Sequence, residues 1–357
     1  MFRTSSPLLT ALCLVIGLSA CSDNNVENNN NNGNNNQDAT PDIKCFEGEM
    51  YNPATGMCDP VFNMDMSDQS EMTDMTDMPD MTDMPKDDGP DIPPGCDKDG
   101  DLYLDESCGG DDCDDNDPFS NPSRAEICDG FDNDCNGVPN NDLECEFFAQ
   151  TADFLYKVDP FKKTARKLIE VPGLHDMDTD PRTKALYGVT PEVLYRYEGD
   201  LNTWIEVGRL GLNNLGDING LAIDRDGTAF ATGENKLIRI DLQTGKGTII
   251  GSMADDVISS GDCVINKGNT LFMTAKKRDE DDTLVIINHT DNSAMAQRLP
   301  MKTGFSNVYG LTAAWGKLYG LNSFGELILL DEQTGAGMLI HKFEDVRWYG
   351  AASSPSR

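Results

Sequence analysis

After its first twenty residues the chain has no apolar run long enough to cross a bilayer as a helix. Basic residues are scarce, 28 Lys and Arg against 62 Asp and Glu, for a formal net charge of −34. There are three histidines, His175, His289 and His341. No Gly-x-Ser-x-Gly, no phosphate-binding glycine loop and no His-Glu-x-x-His occurs. So acidic a chain repels nucleic acid and anionic lipid surfaces, and no nucleic-acid partner is expected. The missing motifs leave no strong catalytic signature. What the composition favours is divalent cation binding, wherever carboxylates converge.

The charge is uneven. Residues 146–357 carry 29 acids and 23 bases, whereas the first 145 residues hold 33 acids and five bases. The acidity therefore belongs to a stalk and a small module, not to the main globule. The N-terminus has Arg3, an apolar stretch from Leu8 to Leu18, and then Leu18-Ser19-Ala20-Cys21. That order is a targeting signal, residues 1–20, and its end resembles the bacterial lipobox. The resemblance implies that Cys21 becomes a lipidated first residue, a membrane anchor. An ordinary cleaved signal with an incidental Cys21 is the alternative. Ser22 in place of Asp leads us to expect the outer membrane or cell surface.

Residues 21–44 are Asn-rich, and 22–40 mostly Asn, a composition that cannot bury a core and is expected to be a disordered tether. Cys45 and Cys58 close a small expected disulfide loop, residues 45–58. Residues 59–95 repeat Met-Thr-Asp and Met-Pro-Asp, a charged and extended linker. Its thioethers are a minor alternative as a Cu(I) strip.

Six cysteines crowd into residues 96–145: Cys96, Cys108, Cys113, Cys128, Cys135 and Cys145. An exported chain meets an oxidising compartment, so they read as three disulfides, with fifteen connectivities open. Sixteen acids against two bases share this stretch. Asp97, Asp99 and Asp101 fall at positions 1, 3 and 5 of a calcium-type loop, Tyr103 offers a carbonyl at position 7, and Asp105 follows. It is no EF-hand: Gly100 is at position 4, Leu102 at position 6 and Cys108 at position 12. A second acidic cluster holds Asp112, Asp114, Asp115 and Asp117; a third, Glu126 to Gly137, holds Asp129, Asp132 and Asp134. Asp-x-Asp-Gly-Asp, Asp-Cys-Asp-Asp-x-Asp-Pro and Glu-x-Cys-Asp-Gly-x-Asp-Asn-Asp-Cys-x-Gly appear in that order. Together they resemble the MopE-like metal-binding motif of bacterial surface proteins. The resemblance implies an exposed, disulfide-bonded segment that holds a divalent metal. Asn136, where Asp is usual, and the short acidic end at Asn140 to Asp142 depart from it. A hard cation, calcium first, is expected; softer metals are disfavoured because the cysteines are oxidised and the segment has no His.

Residues 146–357 are glycine-rich and repetitive. An aromatic within a short apolar run recurs at Phe148, Tyr187, Phe230, Phe272 and Tyr319, at steps of 39, 43, 42 and 47 residues. Two turns are nearly identical, Asp241-Leu-Gln-Thr-Gly245 and Asp331-Glu-Gln-Thr-Gly335. A period near forty with several short strands per unit predicts an all-β protein, a β-propeller of five blades. The unit reads as strands 218–223, 228–232, 236–241 and 247–251. The inner strands are expected at 174–179, 218–223, 260–265, 308–313 and 348–353, with the last completing the blade that opens at Phe147. Alignment of the inner strands brings His175, Asn219, Gly261, Tyr309 and Tyr349 to one channel level. Asp176, Gly220, Asp262, Gly310 and Gly350 share the next. His175, Asp176, Asn219, Asp262, Tyr309 and Tyr349 are thus candidate ligand contacts. His289 and His341 are expected on the surface, and Cys263 in the core. The reading is a lipid-anchored protein displaying a binding propeller toward an extracellular protein, polysaccharide or small ligand. The alternatives are a hydrolase or lyase with a divalent metal in the channel, and a metal-scavenging surface protein.

Overall fold

The computed structural model describes residues 49–52, 57–60, 92–212, 215, 217–276, 280–291 and 293–357. Cys21, Cys45, the Asn-rich tether and most of the linker lie outside them. The chain divides into two units, Met1–Lys86 and Asp87–Arg357. Of the first, the described part is an antiparallel hairpin, β1 (Glu49–Asn52) with β2 (Met57–Pro60).

The second unit opens with the acidic module, which contains a single 3₁₀ turn at Glu106–Cys108 among its described residues, and continues as a five-bladed propeller. Blade one pairs β3 (Phe147–Gln150), β4 (Phe154–Asp159) and β5 (Thr164–Glu170) with β22 (Gly350–Ala352) from the far end of the chain. Blade two is β6 (Asp176–Thr179), β7 (Leu186–Val189), β8 (Val193–Glu198) and β9 (Thr203–Arg209). Blade three runs β10 (Ile218–Ile223), β11 (Ala229–Gly233), β12 (Lys236–Ile240) and β13 (Gly247–Ser252). Blade four runs β14 (Ser259–Ile265), β15 (Leu271–Ala275), β16 (Thr283–Ile287) and β17 (Ala296–Lys302). Blade five runs β18 (Val308–Ala314), β19 (Lys317–Asn322), β20 (Glu326–Leu330) and β21 (Gly337–Lys342). Every blade is antiparallel in sequence order except the first, whose inner strand arrives last. Gly350 pairs with Gln150, Ala351 with Ala149 and Ala352 with Phe148, the closure expected from the truncated first and last repeats.

Local chemistry explains the repeat. In the recurrent turns one carboxylate oxygen caps two amides: Asp241 accepts from Gln243 and Thr244, and Asp331 from Gln333 and Thr334. Gly245 and Gly335 then take φ of 75° and 84°, which glycine adopts without strain. These turns also join neighbours, because the Gly247 and Gly337 amides donate to the carbonyls of Leu210 and Thr303 in the preceding blades. Outer strands such as β5 and β9 are half exposed, whereas β6, β11, β15 and β22 are buried throughout. Five apolar clusters fill the five blade interfaces.

Two expectations about single residues separate here. Cys263 is the free, buried thiol that was anticipated. His289 is not a surface residue: it is 5% exposed and packs edge-on against Phe230, with ring centroids 5.0 Å apart. The turn that carries it folds inward onto the preceding blade, which its sequence neighbours do not announce.

Trp348 is fully buried where the ring closes, meeting Tyr156 and Phe343 edge-on at 5.4 and 5.5 Å. Trp348→Ala is expected to cost about 3–5 kcal/mol, read as a lower denaturant midpoint at unchanged slope.

Candidate functional site

The module's first loop is held by its own carboxylates. Asp97 accepts from the amides of Gly100, Asp101 and Leu102 at 2.7, 3.2 and 3.2 Å. Asp99 accepts from Asp101 at 3.2 Å, and Asp101 from Tyr103 at 2.8 Å. Leu102, at position 6, takes the left-handed conformation, φ 76°. A carboxylate oxygen from each of Asp97, Asp99 and Asp101 lies within 4.8 Å of the others.

The same design recurs thirty-five residues on. Asp132 accepts from Asn136 and Gly137, Asp134 from Asn136, and Asn136 from Val138. Gly137, matching Leu102, has φ 89°. Asn136 thus does for Val138 what Asp101 does for Tyr103, and its amide oxygen keeps position 5 an oxygen donor. The second group is Glu126, Asp132 and Asp134, again within 4.8 Å. Glu126 was not among the sequence candidates; its Oε1 accepts from the amides of Asn133 and Asp134 at 2.6 and 2.9 Å, and its Oε2 is buried without a partner.

The first loop also gains a distant carboxylate. Asp112 is 2% exposed and bridges to Asp105 through the backbone, and its Oδ2 is buried and unpartnered, as is that of Asp99. Burial first, then the neighbouring carboxylates, pushes Asp99 and Asp112 above the ordinary aspartate value. Five further candidate acids are engaged elsewhere. Asp105 caps the 3₁₀ turn through Ser107, and Asp115 receives the Lys98 amine at 2.6 Å and its amide at 2.9 Å. Asp114 receives the Asn116 amide group, Asp117 the Phe119 backbone amide and Asp129 that of Phe131.

Three disulfides join Cys96 to Cys108, Cys113 to Cys135 and Cys128 to Cys145. The middle bridge links the second cluster to the third. The last returns the chain to the threshold of β3, where Glu144 and Glu146 meet Lys157 at 3.1 and 3.3 Å. Gly130 lies against Phe161 of the β4–β5 turn so closely that a methyl there would stand 2.9 Å from the ring. The module is thereby rooted on blade one.

In the propeller, His175, Asn219, Tyr309 and Tyr349 gather at the channel mouth around a cavity of about 480 Å³, together with Ser260 and Gly261. His175 donates from Nδ1 to the Ile218 carbonyl at 3.0 Å. Tyr309 and Tyr349 stack with centroids 5.9 Å apart and planes 21° apart. Asp176 and Asp262 do not line this cavity; both are fully buried. Each bonds to the inner strand of the next blade: Asp176 Oδ2 accepts from the Leu221 amide and Asp262 Oδ2 from the Leu311 amide, both at 2.6 Å. Burial, and for Asp176 the neighbouring Asp262 carboxylate, drives both carboxyls well above the ordinary aspartate range. At another level Asp178 accepts from Ile223, Ser353 and the Arg357 guanidinium, the last at 3.0 Å. Arg357 also donates to the carbonyls of Thr179, Ile223 and Ile265, tying three inner strands together. Ser260, Asp178 and Arg357 escaped the sequence reading because their roles depend on contacts far along the chain.

Residues 112–140 match the Cu-binding MopE family, described as a “putative metal-binding motif”. The match spans the second and third clusters. None of the curated proteins matches the chain significantly. Among solved structures, a chain of a nidogen/laminin complex is 16% identical, covering 58% of this chain and 97% of its own, with a TM-score of 0.42. A protein of unknown function from Bacteroides thetaiotaomicron VPI-5482 is 11% identical, covering 61% and 66%, at 0.41. Another from Bacteroides caccae is 9% identical, covering 56% and 73%, at 0.35.

The acid pair has a signed consequence. Each folded pKa lies above the unfolded value, so the pair's stabilisation is complete below about 3.8 and is lost as pH rises toward the raised values. Asp262→Asn keeps an acceptor for the Leu311 amide while removing one titrating group beside Asp176. Plots of unfolding free energy against pH are expected to fall less steeply in this variant, by up to about 1.4 kcal/mol per pH unit for one proton. Equal slopes would show that the acids ionise freely.

Proposed function

We propose that the chain is an envelope lipoprotein whose acidic module is rigidified by calcium and carries the propeller as a binding domain. The observation that supports this most is the set of buried, unpartnered oxygens, Asp99 Oδ2, Asp112 Oδ2 and Glu126 Oε2, beside two acidic loops of one design. A buried carboxylate oxygen without a partner is costly, and a cation removes the cost. The residues fit such an ion: Asp97, Asp99, Asp101 and Asp112 would hold one, and Glu126, Asp132, Asp134 and Asn136 a second. All these donors are oxygens, while the module's cysteines are closed in disulfides and it has no His. That donor set suits a hard cation better than the copper in the matching family's name.

Bound cations would neutralise the module's self-repulsion and rigidify it where it meets blade one. Cys21 would supply the membrane attachment. The channel acids are fully buried and already bond to backbone amides, which favours a binding propeller over a channel-metal hydrolase.

Calorimetry with calcium on the whole protein is expected to show two sites. Asp99→Asn should remove one and Glu126→Gln the other, and copper(II) at equal concentration should compete weakly. A full heat of binding in the double variant would refute the assignment. For the anchor, Cys21→Ser is expected to move the protein from the detergent phase to the aqueous phase on Triton X-114 partition. Unchanged partition would count against lipidation there.

A further inference from the structure

The channel mouth does not end at the two tyrosines. A second cavity, of about 870 Å³, shares Ala152, Tyr309 and Tyr349 with the first and runs outward along the seam between blade five and blade one. Each volume lies in the range of roughly 300–1,000 Å³ typical of ligand sites. The trough is lined by five aromatic side chains, Phe154, Tyr156, Tyr309, Phe324 and Tyr349. Tyr349 is 37% and Phe324 53% exposed, and Phe154 lies beneath the Lys167 ammonium at 3.0 Å from its centroid. Its charged groups balance, Asp153 and Asp345 against Lys167 and Arg347.

We propose that this trough binds a neutral oligosaccharide, lying from the channel mouth over Tyr349 toward Phe324. The inference rests on reading the propeller as a binding domain. A pyranose presents C–H groups on its faces and hydroxyls on its rim, so it needs aromatic surface bordered by donors and acceptors of both kinds. The trough offers both. A polyanion finds no net positive field here. An extended peptide would need a free strand edge. The inner-strand amides beside the mouth are already used, since Val308 donates to Asp282 and Leu311 to Asp262 at 2.7 and 2.6 Å.

The test uses the whole protein in saturating calcium, titrated by calorimetry with cellotetraose, maltotetraose, mannotetraose and xylotetraose, and with tetragalacturonate for comparison. At least one neutral sugar is expected to bind, and Tyr349→Ala to weaken it about tenfold or more, while Tyr349→Phe stays within about threefold. Tyr349 is partly exposed, so its truncation leaves the core intact, which circular dichroism checks. No binding by any neutral sugar, equal binding of tetragalacturonate, or wild-type affinity in Tyr349→Ala overturns the proposal. Calcium binding read in the same samples separates the two ideas: sugar binding lost with calcium sites intact refutes this one alone, and the converse refutes only the calcium joint.

Discussion

Five inner strands point one edge each at a common axis, and the amides on those edges must find acceptors without a neighbouring strand to supply them. Carboxylates do it. Asp176 and Asp178 take the amides of Leu221 and Ile223, Asp262 that of Leu311, Asp282 that of Val308, and Asp178 also that of Ser353. The whole ring depends on these cross-strand bonds, because a buried backbone amide left unpaired would oppose closure. Glycines make the approach possible. A methyl at Gly261 would stand 2.6 Å from the Val308 carbonyl oxygen and 2.7 Å from the Tyr309 Cα. Acids that look like channel ligands in sequence are thus part of the ring's own bonding, while the groups above them remain open to a ligand.

Outside the ring the same residue type does the opposite task. In the module aspartates are local organisers, folding back on amides two to five residues ahead, and their spare oxygens face one another. Disulfides hold the folds in place, adding roughly 2–4 kcal/mol each where geometry is unstrained. The bridge from Cys128 to Cys145 and the ion pairs at Lys157 then set this charged segment against blade one. The module's carboxylates thus crowd together on a segment that disulfides and ion pairs hold in place.

Much of this was legible in sequence where the cause is local. The Asp-x-x-Thr-Gly turns, the forty-residue period and the loop at Asp97 to Tyr103 are each written in a few consecutive residues. So is the twin loop at Asp132 to Val138, although Asn136 obscured it until its bond to Val138 matched that of Asp101 to Tyr103. The level of His175, Asn219, Tyr309 and Tyr349 followed from aligning repeats, since equivalent positions of a cyclic array share a height on its axis. Such alignment put Tyr309 and Asp262 on successive levels but did not show that the first level lines a cavity while the acids of the second are buried against backbone amides.

Sequence alone determined the fold class, the blade count, the shared closing blade and the acid-rich character of the module, because periodicity, turn chemistry and composition act over short stretches of chain. Tertiary structure alone decided which cysteines pair, that Asp112 joins the first loop while Asp115 is taken by Lys98, that His289 is buried, and that Arg357 binds three inner strands. Each of these is a contact between groups whose meeting depends on chain closure and packing, and a carboxylate or a thiol carries no mark of its partner until the backbone has brought the two within bonding distance.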